Sequence, residues 1–252
     1  MLLTFGISQG QSEEIPVLVY HDVVNSADPE TGRFDQISLK LFKEQMRYLY
    51  ESGYKTISID QLVSFMKGGA VPKKSIVLNF DDGWKSITAI IPILKQYNFM
   101  ASFFIFPGKG VAQPSYMDWS DILSIAKDPD FQIESHTMTH PWAKDSNLVS
   151  WIDGKTVGSG IKDVEYELKE SKDMIEKTLH KKVKYLAWPC GLYNEKLIEM
   201  AKDAGYEALL TIEDGANTQG DDVFRVKRLV VDGFCDMATF KQGLQAYIAY
   251  EC

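Results

Sequence analysis

Apolar residues fall into two kinds of segment that alternate along the chain. Short β-rich runs recur at 15–20, 55–59, 75–80, 100–106, 131–135, 183–188, 206–211 and 225–231. Most of the intervals carry apolar residues at steps of three and four, the period of a half-buried helix. Leu39, Phe42, Met46 and Leu49 form one such stripe, with Ser38 as N-cap and Gly53 as the stop. Leu62, Phe65 and Met66 predict a short helix capped by Asp60, and Ile87, Ile90, Ile91 and Leu94 predict a helix over 86–97. Ile161, Val164, Leu168, Ile175 and Leu179 stripe an otherwise charged segment. Asn194 caps a helix running to Ala204, and Phe240, Leu244, Tyr247 and Ile248 mark the last helix. Strands that alternate with helices pair in parallel. The pattern predicts an α/β fold, a distorted (β/α) barrel of seven to eight mostly parallel strands. Segment 142–160 shows neither period and contains Gly154, Gly158 and Gly160, so it reads as a loop.

The 252 residues, 45% of them hydrophobic, suit one barrel-sized domain over 15–252 after an N-terminal tail at 1–14. A net charge of −8 argues against nucleic acid or an anionic membrane surface as partner. No stretch approaches the ~20 apolar residues of a membrane span, and a monomer is expected. Met1–Ile7 is apolar but short of a secretory h-region, so the tail is either a signal remnant or an ordinary tail. Cys190, Cys235 and Cys252 lack Cys-x-x-Cys spacing, so neither a zinc knuckle nor a redox pair is indicated.

The chemistry concentrates where strands end. Asp81-Asp82-Gly83 follows the run Ile76-Val77-Leu78-Asn79-Phe80. Adjacent carboxylates repel unless something neutralises them, and Gly83 permits a turn that brings both into one cavity. The pair reads as a metal ligand beside a general base, or else as a turn capping the next helix. His136 and His140, at i and i+4 after another strand, can share one ion, and Pro141 favours a loop over a helix at that point. Thr137 and Thr139 are placed to brace that loop. His21 follows the first strand and reads either as a group facing the cavity or as a wall histidine. His180, between a helix and Lys181-Lys182, reads as a helix-end cation.

Together these segments resemble the NodB-type polysaccharide deacetylases, carbohydrate esterase family 4. Asn79-Phe80-Asp81-Asp82-Gly83 is similar to the family's Thr-Phe-Asp-Asp-Gly motif, with Asn in place of Thr. His136-Thr137-Met138-Thr139-His140 resembles the second motif, and Trp188-Pro189-Cys190-Gly191-Leu192-Tyr193-Asn194 resembles the third. Pro16–His21 looks like the opening strand of the subgroup acting on poly-N-acetylglucosamine. The resemblance implies that Asp82, His136 and His140 hold one divalent metal ion, zinc above others, and that Asp81 is the base. It implies an oxyanion donor in the backbone N–H of Cys190, and Trp142, Trp188 and Pro189 are the substrate-binding candidates. It also implies a polysaccharide partner, hence an extracellular or cell-envelope location. Ala187 stands where the family often has an Arg that pairs with the base, which leaves Arg225 or Arg228 to supply that charge. No histidine follows His180 to serve as the family's late general acid, which leaves His21. Trp84, Trp119, Trp142, Trp151 and Trp188 are candidates for a sugar groove, because pyranose faces stack on indoles. Trp142 and Trp151 are the better of them for their place in the loop, whereas Trp119 reads as packing. The implied activity is N-deacetylation of N-acetylglucosamine polymers. The alternatives are an O-acetyl esterase on acetylated xylan and a carbohydrate-binding protein that has lost catalysis.

Overall fold

A computed structural model describes residues 13–25, 33–108, 110–234 and 236–248. The chain begins with β1 (Val17–Tyr20), β2 (Asp22–Val24), β3 (Gln36–Ser38) and α1 (Leu39–Glu51). Then come β4 (Lys55–Thr56), α2 (Ile59–Met66), β5 (Ser75–Phe80), α3 (Ile91–Gln96) and β6 (Ala101–Ile105). Helix α4 (Trp119–Ile125) and β7 (Phe131–Ser135) precede the hairpin β8 (Trp142–Ala143) and β9 (Ser146–Asn147). After α5 (Leu148–Ile152) and α6 (Ile161–Leu179) the chain continues through β10 (Tyr185–Ala187), α7 (Glu195–Asp203) and β11 (Ala208–Leu210). It finishes with β12 (Leu229–Val230) and α8 (Met237–Ile248).

The main sheet is parallel, in the order β11-β10-β7-β6-β5-β1-β12, with β4 added on β5. A parallel bridge from Leu210 to Val226 joins β11 to the segment entering β12. The sheet therefore curls into a distorted (β/α) barrel. Its strands alternate cleanly. Leu18, Tyr20, Ile76, Leu78, Phe80, Phe103, Leu186 and Leu209 pack outward under the helices. Tyr20, Phe80 and Phe103 stack there, with centroids 5.4 and 5.2 Å apart. Val17, Val77, Phe104, Tyr185, Ala187, Ala208 and Leu210 gather in a second cluster with Ile59, Leu62 and Phe65 of α2.

Several local expectations need correction. The cap of α2 is Ser58, whose hydroxyl accepts from Gln61 N–H. Asp60 instead accepts from Gln132, Lys184 and Tyr185, partners distant in sequence. Segment 86–97 is a 3-10 turn (Lys85–Ala89) followed by α3, because Pro92 cannot donate into a continuous helix. The expected loop 142–160 contains the β8–β9 hairpin and α5, capped by Asn147. The signal or tail reading of 1–14 falls on residues outside those described, apart from Glu13 and Glu14. None of the described helices is long and apolar enough to cross a membrane.

Glu134 on β7 is 3% exposed, and one of its oxygens accepts from the N–H groups of Lys184 and Tyr185, each at 2.9 Å. Burial outweighs these bonds and pushes its carboxyl from an ordinary 4.5 up to about 8. The folded chain therefore holds a proton that the unfolded chain has already released. The associated stability is complete below about pH 4.5 and is lost as pH rises towards about 8. Glu134→Gln is expected to flatten that fall, so that thermal melts at pH 8 show the variant to be the more stable. Parallel pH slopes for both chains would refute it.

Candidate metal and catalytic site

Four backbone sites in the loops beyond the strand ends are left-handed although none is glycine. They are Asp82 (φ 69), Thr137 (φ 66), His140 (φ 54) and Cys190 (φ 51). Such residues cost of order 1–3 kcal/mol each and persist where surrounding contacts hold them, commonly at functional sites. The turn after β5 starts at Asp82 itself and continues through Gly83 (φ 73). It leaves Asp81 on the inward side with Val77 and Asn79 while Asp82 swings over to join it.

Asp82, His136 and His140 offer ligand atoms that all lie within 4.8 Å of one another. Oδ1 of Asp82 is 3.4 Å from Nε2 of His136 and 3.4 Å from Nε2 of His140. A tetrahedral zinc ion with ligands at about 2.0–2.2 Å would separate its ligand atoms by roughly 3.3–3.6 Å. Both separations from Asp82 to the imidazoles thus match the spacing of ligands around a zinc-sized ion. His136 Nδ1 lies 2.8 Å from the Ala187 carbonyl, an acceptor, so that nitrogen carries the proton and Nε2 is free to ligate. Trp84 Nε1 donates to Oδ2 of Asp82 at 3.1 Å, which leaves Oδ1 as the inward oxygen. The His140 ring rests near Phe106, with centroids 5.3 Å apart.

Electrostatics favour ligation. Burial works to raise the Asp82 carboxyl, but the His136 hydrogen bond and the charges of His136 and His140 hold it well below the carboxylate range. Burial, then the neighbouring His136 charge, pushes His140 down to about 4, so its ring is neutral at pH 7. His136 goes the other way. Burial opposes its charge, yet Asp81 and Asp82 together raise it.

Asp81 is 2% exposed and is gripped by Arg228 through two bonds, Nη1 to Oδ1 at 2.9 Å and Nη2 to Oδ2 at 2.8 Å. Arg228 Nε donates to the Thr211 carbonyl at 2.7 Å, and the guanidinium lies 5.7 Å from the Phe104 ring centre. Burial alone would raise Asp81, but Arg228 and then His136 hold it below the ordinary range. Asp81 Oδ2 remains 3.9 Å from His136 Nε2, beside the ligand trio rather than within it. Arg225 is excluded as the paired cation, because it bonds Tyr193 and Glu195 at the surface.

The remaining predicted residues divide. His21 is partly exposed and close enough for its charge to act on Asp81, Asp82 and His140. Its Nδ1 is buried without a hydrogen-bond partner among the described residues. Cys190 is exposed, and its thiol is pushed up by burial and by Asp82. Its N–H takes no part in the two bonds closing that turn, which run from Gly191 to Trp188 and from Leu192 to Pro189. Trp142 is 64% exposed two residues past His140. Trp188 and Pro189 cannot be a sugar-binding surface. Trp188 is fully buried on the outward side with Leu186, stacked on Tyr193 at 6.2 Å, and Pro189 is buried beside it. Trp151 packs against the core and donates Nε1 to Ser146, and Trp119 packs as expected. His180 ends α6 in a left-handed conformation, away from the site. Glu167, which binds the histidine loop from α6, is the residue that motif reading missed, and Trp84, read there as a sugar-groove candidate, bonds Asp82.

The family model of polysaccharide deacetylases matches residues 68–209, more than half of the chain and all three motif loops. A poly-beta-1,6-N-acetyl-D-glucosamine N-deacetylase of Escherichia coli (strain K12) is 26% identical over 239 residues, covering 82% of this chain and 35% of that protein. The enzyme of the same name from Staphylococcus epidermidis is 26% identical over 197 residues, covering 75% of this chain and 66% of that one. The chain therefore spans less than two thirds of the length of both. The structure of IcaB from Ammonifex degensii superposes with a TM-score of 0.80 at 22% identity, covering 95% of this chain and 99% of that one. With the matched family model spanning the three loops that carry Asp81, Asp82, His136, His140 and Cys190, this chain belongs to the polysaccharide deacetylase family.

Proposed function

We propose that the chain removes N-acetyl groups from N-acetylglucosamine-containing polysaccharide at a zinc site held by Asp82, His136 and His140. The observation that carries this reading is the separation of roles among carboxylates. One faces both imidazoles, and its neighbour stands aside, ionised and locked by a buried arginine. When bound, the ion supplies Lewis-acid polarisation of the acetamide carbonyl and lowers the pKa of water. Asp81, kept ionised by Arg228, accepts the proton of the attacking water. The Cys190 N–H donates to the oxygen that gains charge at the acyl carbon. His21 protonates the departing amine, and Trp142 offers an exposed indole face to a neighbouring sugar. The choice of N-acetylglucosamine rests on the two relatives named for that polymer, and it implies action outside the cell or in its envelope.

Acetate release from β-1,6-linked N-acetylglucosamine oligomers and from acetylxylan, before and after chelation, tests the proposal. Release from the amide substrate that chelation stops and zinc restores is expected. Release from acetylxylan alone would make the chain an O-acetyl esterase, and binding without release from either would make it a carbohydrate-binding protein.

Amide cleavage needs a protonated leaving amine, whereas an activated acetyl ester does not. His21→Ala is therefore expected to slow amide hydrolysis by roughly 10²–10⁴-fold while sparing an aryl acetate. Equal losses on both would reduce His21 to a positioning or structural part.

A further inference from the structure

The loop carrying both histidines is held from behind by one buried carboxylate. Glu167 of α6 is 2% exposed. Its Oε2 accepts from the N–H groups of Met138 and Thr139, each at 2.8 Å, and its Oε1 accepts from the Thr139 hydroxyl at 2.6 Å. One turn along the helix, the Ser171 and Ser135 hydroxyls pair at 2.6 Å, and Ser135 Oγ accepts from Thr137 N–H. On the far side, Gly108 N–H donates to the Met138 carbonyl at 2.8 Å. A Cβ at Gly108 would sit 2.6 Å from that same oxygen, so this approach requires glycine.

These contacts oppose a definite tendency. Thr137 and His140 are both left-handed, a conformation that disfavours residues with a Cβ by roughly 1–2 kcal/mol each. Left to itself the loop would relax, and the imidazoles would move apart or turn. The bonds inside the loop, such as His140 N–H to Thr137 Oγ1 at 3.2 Å, move with it and cannot anchor it. Glu167 can, because it stands on a 19-residue helix packed into the core through Val164, Leu168 and Ile175. A buried carboxylate is costly unless its hydrogen bonds are supplied, and here all three come from the stretch between the two histidines.

We propose that Glu167 is the positioning residue of the histidine pair, setting metal affinity by fixing the loop between His136 and His140 without touching the ion. The proposal rests on the zinc assignment above. Zinc affinity by chelator competition, alongside thermal melts of the zinc-free chain, tests it in wild type, Glu167→Ala, Glu167→Asp and Glu167→Gln. Alanine, and the aspartate that falls short of the loop, are expected to weaken zinc by about 10–100-fold while the zinc-free chain still melts cooperatively. Glutamine keeps an oxygen for the two N–H donors and is expected to bind close to wild type. Should the alanine variant fail to fold, the aspartate variant reads the same effect. A folded alanine or aspartate variant with wild-type zinc affinity overturns the proposal and leaves the zinc assignment standing. A wild-type chain that takes up no zinc removes both.

Discussion

Asp81→Asn is expected to lower the rate of acetate release by roughly 10²–10⁴-fold, the span of a lost general base. Zinc content should stay close to that of the unaltered chain. The two readouts separate because Asp81 stands beside the ligand trio. Its Oδ2 is 3.9 Å from His136 Nε2, whereas Asp82 Oδ1 is 3.4 Å from both imidazoles. Asparagine retains an oxygen for one Arg228 N–H but has no proton-accepting carboxylate. The paired result, measured by acetate release and metal analysis on the same preparation, assigns Asp81 as base. Loss of zinc in step with activity would make it a ligand instead. Because Arg228 keeps Asp81 ionised well below neutrality, the loss of activity in mild acid should follow protonation of His136. His136, with its raised pKa, loses its proton last as pH rises, so zinc binding should tighten through that range.

Much of this site was legible because its parts lie next to strand ends in chain order. The barrel followed from strand runs separated by helical stripes. Residue type and position pointed to the two histidines and the Asp81-Asp82 pair, and the family resemblance alone named Asp82 as the ligand of the two. Arg228 was recognised only as one of two options. Choosing it over Arg225 requires the register of β12 on β1, Leu18 against Leu229, which no local pattern encodes. Asp60 failed as a cap for the same reason, since its partners lie more than seventy residues away.

Two errors had a readable remedy. Trp188 was assigned to the substrate wall as an indole on which a sugar could stack, yet Leu186 and Trp188 share a strand face opposite Ala187. Period-two alternation already sends the indole outward. Glu167 and Ser171 were passed over as part of a charged helix. They lie on the stripe running from Val164 through Leu168 to Ile175, where polar side chains face the core and need partners. Polar residues interrupting an apolar stripe were the available signal. Trp84 was read only as a sugar-groove candidate, because its bond to Asp82 depends on a left-handed turn that starts at a non-glycine residue.

Arg228→Met should have two effects, one of them reversible by pH. The guanidinium is fully buried, and Asp81 has 3% side-chain exposure beside it. Removing one partner of such a pair typically costs about 3–5 kcal/mol, because the other charge is left without compensation. Thermal melts should show that loss. Asp81 would then answer to its burial, already the largest influence on it, and its pKa would climb. At neutral pH more of it would carry a proton and fail as a base, so activity should fall sharply and recover as pH rises. The wild-type chain, with Asp81 ionised throughout, should show only the rise that deprotonation of His136 brings, so the variant's recovery should lie at higher pH. Arg228→Lys provides the control. It keeps a positive charge but gives up the two-pronged grip and the bond from Nε to the Thr211 carbonyl. Its pH profile should stay near wild type while its rate falls through poorer orientation of Asp81. If Arg228→Met loses stability with no alkaline shift, the arginine is holding the barrel together and does not tune the base.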